Sequence, residues 1–232
     1  MKVLVLNGSP KTVSDTMQLT NSFLEGMNTA GDNEVEIIRV IEKQIKPCRG
    51  CFGCWKNGDG KCVIQDEQNE ILAKYQQAEL IIWSFPLYCF GIPSHLKAVL
   101  DRMIPLVRMK MEEKDGVVYH KSLADFERMK HVVICGAGFP MSDRNFEGVS
   151  VTCDKCFSNC TKIFVPETPM MNVPEAKELA ERKRSFFREA GMEYYRNGKL
   201  IPETIQKLEE LMIPNEEYLA QVNGQRYFIY GR

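Results

Sequence analysis

Four closely spaced cysteines are the residues of this chain best suited to metal chemistry. They lie in a glycine-containing stretch with the spacing Cys-x2-Cys-x2-Cys-x7-Cys, at Cys48, Cys51, Cys54 and Cys62. Four thiolates in one loop can ligate an iron–sulfur cluster, which takes four cysteines, or a zinc ion. Phe52 and Trp55 lie in the same loop and can pack it down without a metal, and cysteine is itself a good small core residue. A metal-free loop is the first expectation, and a cluster is the alternative.

The remaining cysteines predict neither a disulfide framework nor a second metal site. The total of nine is odd, and a chain without an export signal is expected in the cytoplasm, where thiols stay reduced. Three of the cysteines continue a helical spacing that predicts an apolar stripe facing a sheet, formed by Val149, Cys153, Cys156 and Cys160. Two others, Cys89 and Cys135, are expected to be neutral wall residues of nearby loops.

A hydroxyl-rich turn follows the first apolar segment and suits an anion. Residues 7–16 read Asn-Gly-Ser-Pro-Lys-Thr-Val-Ser-Asp-Thr and join an expected strand to the N-terminus of an expected helix. Free backbone N–H groups and the helix dipole favour anions at such a place. The Walker loop and the dinucleotide fingerprint Gly-x-Gly-x-x-Gly are both absent after this strand. The turn therefore favours the phosphate of a mononucleotide.

Short apolar segments that alternate with amphipathic helices must position these residues. The strands are predicted at 2–6, 35–40, 80–83, 131–135 and 163–165, and the later helices include 175–197 and 202–212. This alternation predicts an α/β fold, a flavodoxin-like three-layer sandwich whose five-stranded parallel sheet has the order 2-1-3-4-5. We expect a domain over 1–170 and a C-terminal helical extension over 171–232. No stretch approaches the roughly 20 apolar residues of a membrane helix.

Two motifs together resemble the NADPH-dependent FMN reductase family of flavodoxin-like proteins. One is the hydroxyl-rich turn, and the other is Pro86-Leu87-Tyr88 leading to Pro93-Ser94-His95-Leu96-Lys97 and Asp101-Arg102. The resemblance covers roughly residues 1–140, and it implies FMN as cofactor and NAD(P)H as co-substrate. It assigns the FMN phosphate to Ser9, Lys11, Ser14, Asp15 and Thr16. Family members often carry Asn where this chain has Asp15, so we expect that carboxylate to turn away and offer only its N–H.

The loops after the third and fourth parallel strands are expected to line the flat, amphipathic flavin ring. The resemblance assigns the ring to Pro86, Leu87, Tyr88, Cys89, Phe90 and Gly91, and to Gly136, Ala137 and Gly138, where backbone can approach closely. No catalytic side chain is expected, because hydride transfer to a flavin depends on stacking and alignment. The histidines His95, His120 and His131 are accordingly expected to be structural or solvated.

The expected function is an FMN-dependent NAD(P)H oxidoreductase that passes electrons to a flavin, a quinone or a similar small molecule. The alternative follows from the cysteine loop, which is similar to the compact motif of iron–sulfur flavoproteins. Such a carrier would hold FMN and a [4Fe-4S] cluster on Cys48, Cys51, Cys54 and Cys62.

The expected binding partners are a small-molecule electron acceptor and a second copy of the chain. The net charge of −1 gives no reason to expect nucleic acid or an anionic membrane. The resemblance implies a homodimer, for which apolar surface is offered by Met103, Met109, Met111, Met170 and Met171. A loop lid over the second substrate is expected from residues 105–125.

Overall fold

A twisted parallel sheet forms the centre of the computed structural model, which describes residues 1–123, 129–141 and 144–224. Its strands are β1 (Lys2–Asn7), β2 (Glu34–Arg39), β3 (Leu80–Pro86), β6 (Lys130–Gly136) and β7 (Cys160–Val165). They pair in the order β2-β1-β3-β6-β7, and every pair is parallel. Counted among themselves, these five strands have the order 2-1-3-4-5, so the predicted fold class is confirmed.

Helices cover both faces of the sheet and produce three layers. They are α1 (Asp15–Ala30), α2 (Gly53–Asn57), α3 (Gln68–Gln77), α4 (Ser94–Asp101), α5 (Glu147–Cys156), α6 (Lys177–Asn197), α7 (Pro202–Glu209) and α8 (Asn215–Gly224). Successive strand residues point to opposite faces, so Val3 and Val5 pack with α1 and α6, whereas Leu4 and Leu6 pack with α3, α4 and α5. Because both faces are covered, the inner strands β1, β3 and β6 are largely apolar and buried. The edge strand β2 instead carries Glu34, Glu36 and Arg39 and is largely exposed.

Two glycines allow α1 and α6 to cross at close range. A Cβ on Gly26 would lie 1.9 Å from the Arg188 carbonyl oxygen, and one on Gly191 would lie 1.9 Å from the Phe23 carbonyl oxygen. No side chain fits at either position unless the helices move apart. The crossing fixes α6 against the first helix, which begins at the hydroxyl-rich turn.

The structure corrects three expectations. Residues 107–122 form a β-hairpin of β4 (Val107–Lys114) and β5 (Val117–Ser122) rather than a loop lid, and residues 124–128 lie outside the described part. Cys160 begins β7 instead of continuing the helix, because α5 ends at Cys156 and the chain turns through Asn159 at a φ of 51°. Met170 and Met171 are buried, so they offer no surface.

The C-terminal helices lie directly against the rest of the molecule. The α6 face carrying Phe187 and Tyr194 is buried in the core over the sheet. From α8, the buried Tyr218 donates its hydroxyl to the Gly138 carbonyl at 2.8 Å, which ties this helix to the loop after β6. The proposed boundary between residues 170 and 171 stays a prediction. Among the described helices, none is long and apolar enough to cross a membrane.

Candidate functional site

Three loops meet at the carboxyl ends of β1, β3 and β6. The Gly8 N–H donates to the Ser84 carbonyl at 2.8 Å, which joins the first loop to β3. The Leu87 N–H donates to the Gly136 carbonyl at 2.7 Å, which joins the second loop to the end of β6. This edge of the sheet, where the strand order reverses, is the usual ligand site of open α/β folds.

Internal hydrogen bonds hold the first loop in shape. The buried Asn7 side chain accepts from the Ser9 N–H at 2.9 Å, and the Ser9 hydroxyl oxygen accepts from the Lys11 N–H at 3.3 Å. His95, in the first turn of α4, donates its Nε2–H to the Gly8 carbonyl at 2.8 Å. His95 therefore has a structural contact in the first loop, and Asn7 is a support that the sequence reasoning did not single out.

The start of α1 offers donors to an anion. Ser14 is the N-cap, and its hydroxyl oxygen accepts from the Met17 N–H at 3.1 Å. The next backbone donor, Gln18, bonds to the Ser14 carbonyl. No acceptor for the N–H groups of Asp15 and Thr16 is found in the described ranges. These first-turn donors and the positive end of the helix dipole fit a phosphate.

The Asp15 carboxylate is occupied by side chains. It accepts from Lys11 Nζ at 2.7 Å and also from the Asn172 side-chain amide. Asn172 in turn accepts from Gln18 at 2.7 Å, and Arg184 of α6 donates to Gln18 at 3.0 Å. A polar chain thus runs from the C-terminal segment to the hydroxyl-rich turn, and Lys11 balances the charge of the Asp15 carboxylate.

The second and third loops present exposed aromatic rings. Tyr88 and Gly91 exchange backbone hydrogen bonds across a tight turn, in which Cys89 and Phe90 have φ angles of 47° and 60°. Such left-handed geometry in residues with a Cβ is costly and is concentrated at functional sites. Phe90 stacks on Phe139 of the third loop, with ring centroids 5.7 Å apart and an interplanar angle of 10°.

The residues assigned to the flavin ring differ in accessibility. Tyr88, Phe90 and Phe139 are 45%, 54% and 43% exposed. Gly138 is exposed as well, but Gly136 and Ala137 are buried. A Cβ on Gly136 would lie 2.8 Å from Thr16 Oγ1, so this glycine lets the first and third loops approach each other. The ring and phosphate assignments stay predictions.

The four cysteines of the 48–62 loop line one small cavity of about 20 Å³, together with Arg102. That volume corresponds to about one water molecule. Cys48 and Cys51 are exposed, and Cys54 and Cys62 are half-buried. Burial raises the pKa of the Cys54 thiol. No three potential ligand side chains within the described ranges are already arranged to hold a metal ion. The donor chemistry of four thiolates suits a cluster near the surface.

The other predicted residues are dispersed through the core. Cys135 is buried, and burial raises its pKa, so this thiol is held neutral. Of the predicted cysteine stripe, Cys153 is buried whereas Cys156 is exposed. Burial lowers the pKa of His131 to about 4, and its ring stacks on Phe157 at 4.7 Å.

Known proteins share both sequence and fold with this chain. The sequence model of the family described as NADPH-dependent FMN reductase matches residues 1–123. An iron–sulfur flavoprotein of Methanocaldococcus jannaschii is 38% identical over 117 residues, covering 50% of this chain and 59% of that protein. An FMN-dependent NADH:quinone oxidoreductase of Cellvibrio japonicus is 31% identical over 97 residues, covering 38% of this chain and 48% of that protein. The chain thus spans about half the length of the curated relatives it matches.

The solved structures agree on the architecture. The NAD(P)H:quinone oxidoreductase from Methanothermobacter marburgensis superposes with a TM-score of 0.62 at 20% identity, over 83% of this chain and 94% of that one. At this identity the similarity establishes the fold alone.

Proposed function

Because the chain belongs to the NADPH-dependent FMN reductase family, we propose that it is an FMN-dependent oxidoreductase that takes electrons from NAD(P)H. The acceptor would be a flavin, a quinone or a similar small molecule. The observation that carries this proposal is the meeting of the hydroxyl-rich turn with the exposed aromatic loops at the carboxyl ends of β1, β3 and β6.

Different residues of the site would bind the phosphate and the ring of FMN. The first-turn N–H groups of α1, together with Ser9, Ser14 and Lys11, would hold the FMN phosphate. The backbone of residues 86–91 and 136–138 would border the ring, and Tyr88 and Phe90 would limit access by water. When bound, FMN supplies the hydride and electron chemistry. The protein contributes alignment, because two flat rings must stack face to face for hydride transfer.

Steady-state turnover tests this proposal. The protein is loaded with FMN and given NADH or NADPH with a soluble quinone or free flavin as acceptor. We expect oxidation of the nicotinamide to depend on both the bound FMN and the acceptor. Saturating FMN occupancy with no oxidation of either nicotinamide would contradict an enzymatic role.

A second candidate is an iron–sulfur flavoprotein, and a specific observation favours it. All four cysteines of the 48–62 loop border one cavity, and an iron–sulfur flavoprotein is among the relatives. Cys48, Cys51, Cys54 and Cys62 would be the ligands of a [4Fe-4S] cluster, which supplies single-electron transfer beside the flavin. Iron and sulfide assays on protein purified without oxygen test it, and about four irons per chain are expected.

The assembly proposed is a homodimer, as the resemblance implies. Exposed apolar side chains on the β4–β5 hairpin support it, since Met109 and Met111 are 71% and 60% exposed. Light scattering of the FMN-loaded protein should give twice the chain mass, and a monomer at working concentration would contradict this proposal.

A further inference from the structure

Arg102 is a fully buried arginine beneath the cysteine loop. It follows the last residue of α4, and only 1% of its surface is exposed. Arginine is almost never so deeply buried unless its charge is paired. Its main counter-charge is Asp66, whose Oδ2 lies 2.6 Å from Nη1, and this carboxylate is itself only 5% exposed.

The guanidinium joins the two ends of the cysteine loop. Nη1 donates to the Lys46 carbonyl at 3.0 Å, two residues before Cys48. Nη2 donates to the Ile64 carbonyl at 3.3 Å, two residues after Cys62. The planar fork of arginine can hold two segments in one fixed relation, whereas the single ammonium of lysine cannot.

One further observation relates this side chain to the thiols. Arg102 borders the cavity that all four cysteines line. Its Nε is buried and has no hydrogen-bond partner among the described residues. An unpaired buried donor is costly in a purely structural arginine.

We propose that Arg102 is a positioning residue for a thiolate-bound iron–sulfur cluster, because it holds both ends of the cysteine loop and places a positive charge at the cavity that the four cysteines line. This inference rests on the second candidate function above. A cluster held by four thiolates is negatively charged, and a nearby cation stabilises its reduced form more than its oxidised form. Arg102 therefore raises the reduction potential, in keeping with the control of such potentials by charge and by hydrogen bonds to sulfur.

The test compares Arg102→Gln and Arg102→Lys with the unmodified protein after anaerobic reconstitution with ferrous iron and sulfide. Iron per bound FMN reports retention of the cluster, and an electron paramagnetic resonance titration gives its midpoint potential. Gln68→Met is the matched control. Gln68 is buried beside Arg102, and its side-chain amide donates to the backbone carbonyls of Val99 and Arg102. Its contact with Asp66 is made by the backbone N–H, which the substitution keeps.

We expect Arg102→Gln to lower the equilibrium constant for cluster reduction at least tenfold, which is about 59 mV for one electron. Arg102→Lys keeps the positive charge but loses the planar guanidinium fork. Its equilibrium constant for cluster reduction should therefore stay within threefold of the parent value, while its iron content falls at least twofold. Gln68→Met should lower thermal stability and leave the potential unchanged.

Several results would overturn the inference. One is an unchanged potential in Arg102→Gln, and another is an equal shift in Gln68→Met. If Arg102→Gln does not fold, Arg102→Lys decides, because an unchanged iron content in that variant contradicts positioning by the fork. If the parent protein binds FMN but no iron, the iron–sulfur candidate fails together with this inference, and the reductase proposal stands.

Discussion

Ser14 caps α1 and is proposed to bind the FMN phosphate, and substitutions can separate these two roles. Its hydroxyl oxygen caps α1 by accepting from the Met17 N–H at 3.1 Å, which leaves the O–H free to donate to the proposed phosphate. An aspartate can also cap a helix, but it brings a negative charge to the same place.

Ser14→Ala should therefore lower the free energy of unfolding of the FMN-free protein by about 1 kcal/mol. Ser14→Asp should keep that stability yet weaken FMN binding at least tenfold, because the carboxylate repels the phosphate. Urea unfolding and quenching of FMN fluorescence measure the two effects. An aspartate variant that binds FMN as tightly as the parent would exclude Ser14 from the phosphate site.

Among single residues, sequence patterns point to those that are close together along the chain. The hydroxyl-rich turn could be recognised because Ser9, Ser14 and Thr16 lie within eight residues of one another. The supports could not, because Asn172 reaches Asp15 from 157 residues away and Arg102 reaches Lys46 from 56 residues away. Such contacts exist only once the helices have packed.

Among the elements, the crossing of α1 and α6 has the strictest steric requirement. Gly191→Ala improves helix propensity by about 1 kcal/mol, but its Cβ would meet the Phe23 carbonyl oxygen at 1.9 Å. We expect a net loss of about 1–3 kcal/mol in the free energy of unfolding, typical of overpacked sites. Gly224→Ala is the control, because no atom of the described residues lies within 4 Å of its added Cβ. Equal stability of the two variants in urea would contradict this crossing.

The parallel strands could be predicted because they are buried, whereas the hairpin was missed because its strands are exposed. Strands such as β1 and β3 are continuous apolar runs, since both their faces are covered. The β4 and β5 strands are largely exposed, and in β4 the residues Val107, Met109 and Met111 alternate with charged residues over one short stretch. A second signal is the pair Asp115-Gly116, whose φ angles of 53° and 78° suit a two-residue hairpin turn.

Over the whole molecule, acid stability depends on the core that surrounds His131. Burial lowers its pKa to about 4, below the ordinary value near 6.5. Between these values the unfolded chain binds a proton that the folded chain does not, so stability falls as the pH drops from about 6.5 to about 4. The full effect is about 3 kcal/mol.

His131→Phe should remove this part of the pH dependence, because phenylalanine keeps the stacking on Phe157 without a titrating nitrogen. Urea unfolding of parent and variant at several pH values measures it, and the difference between the two curves isolates His131. His120→Phe, on the hairpin outside the sheet core, is the control. A variant whose stability falls as steeply as the parent below pH 6.5 would refute this account of acid sensitivity.

The central claim, that this molecule holds FMN at the carboxyl edge of its sheet, is tested most directly by visible absorption. The spectrum is recorded on the purified protein and again after addition of FMN and removal of the excess, with the flavin quantified after denaturation. We predict flavin bands and about one FMN per chain, with most of the flavin lost in Ser14→Asp. A protein that retains no flavin even after FMN is added would contradict the claim.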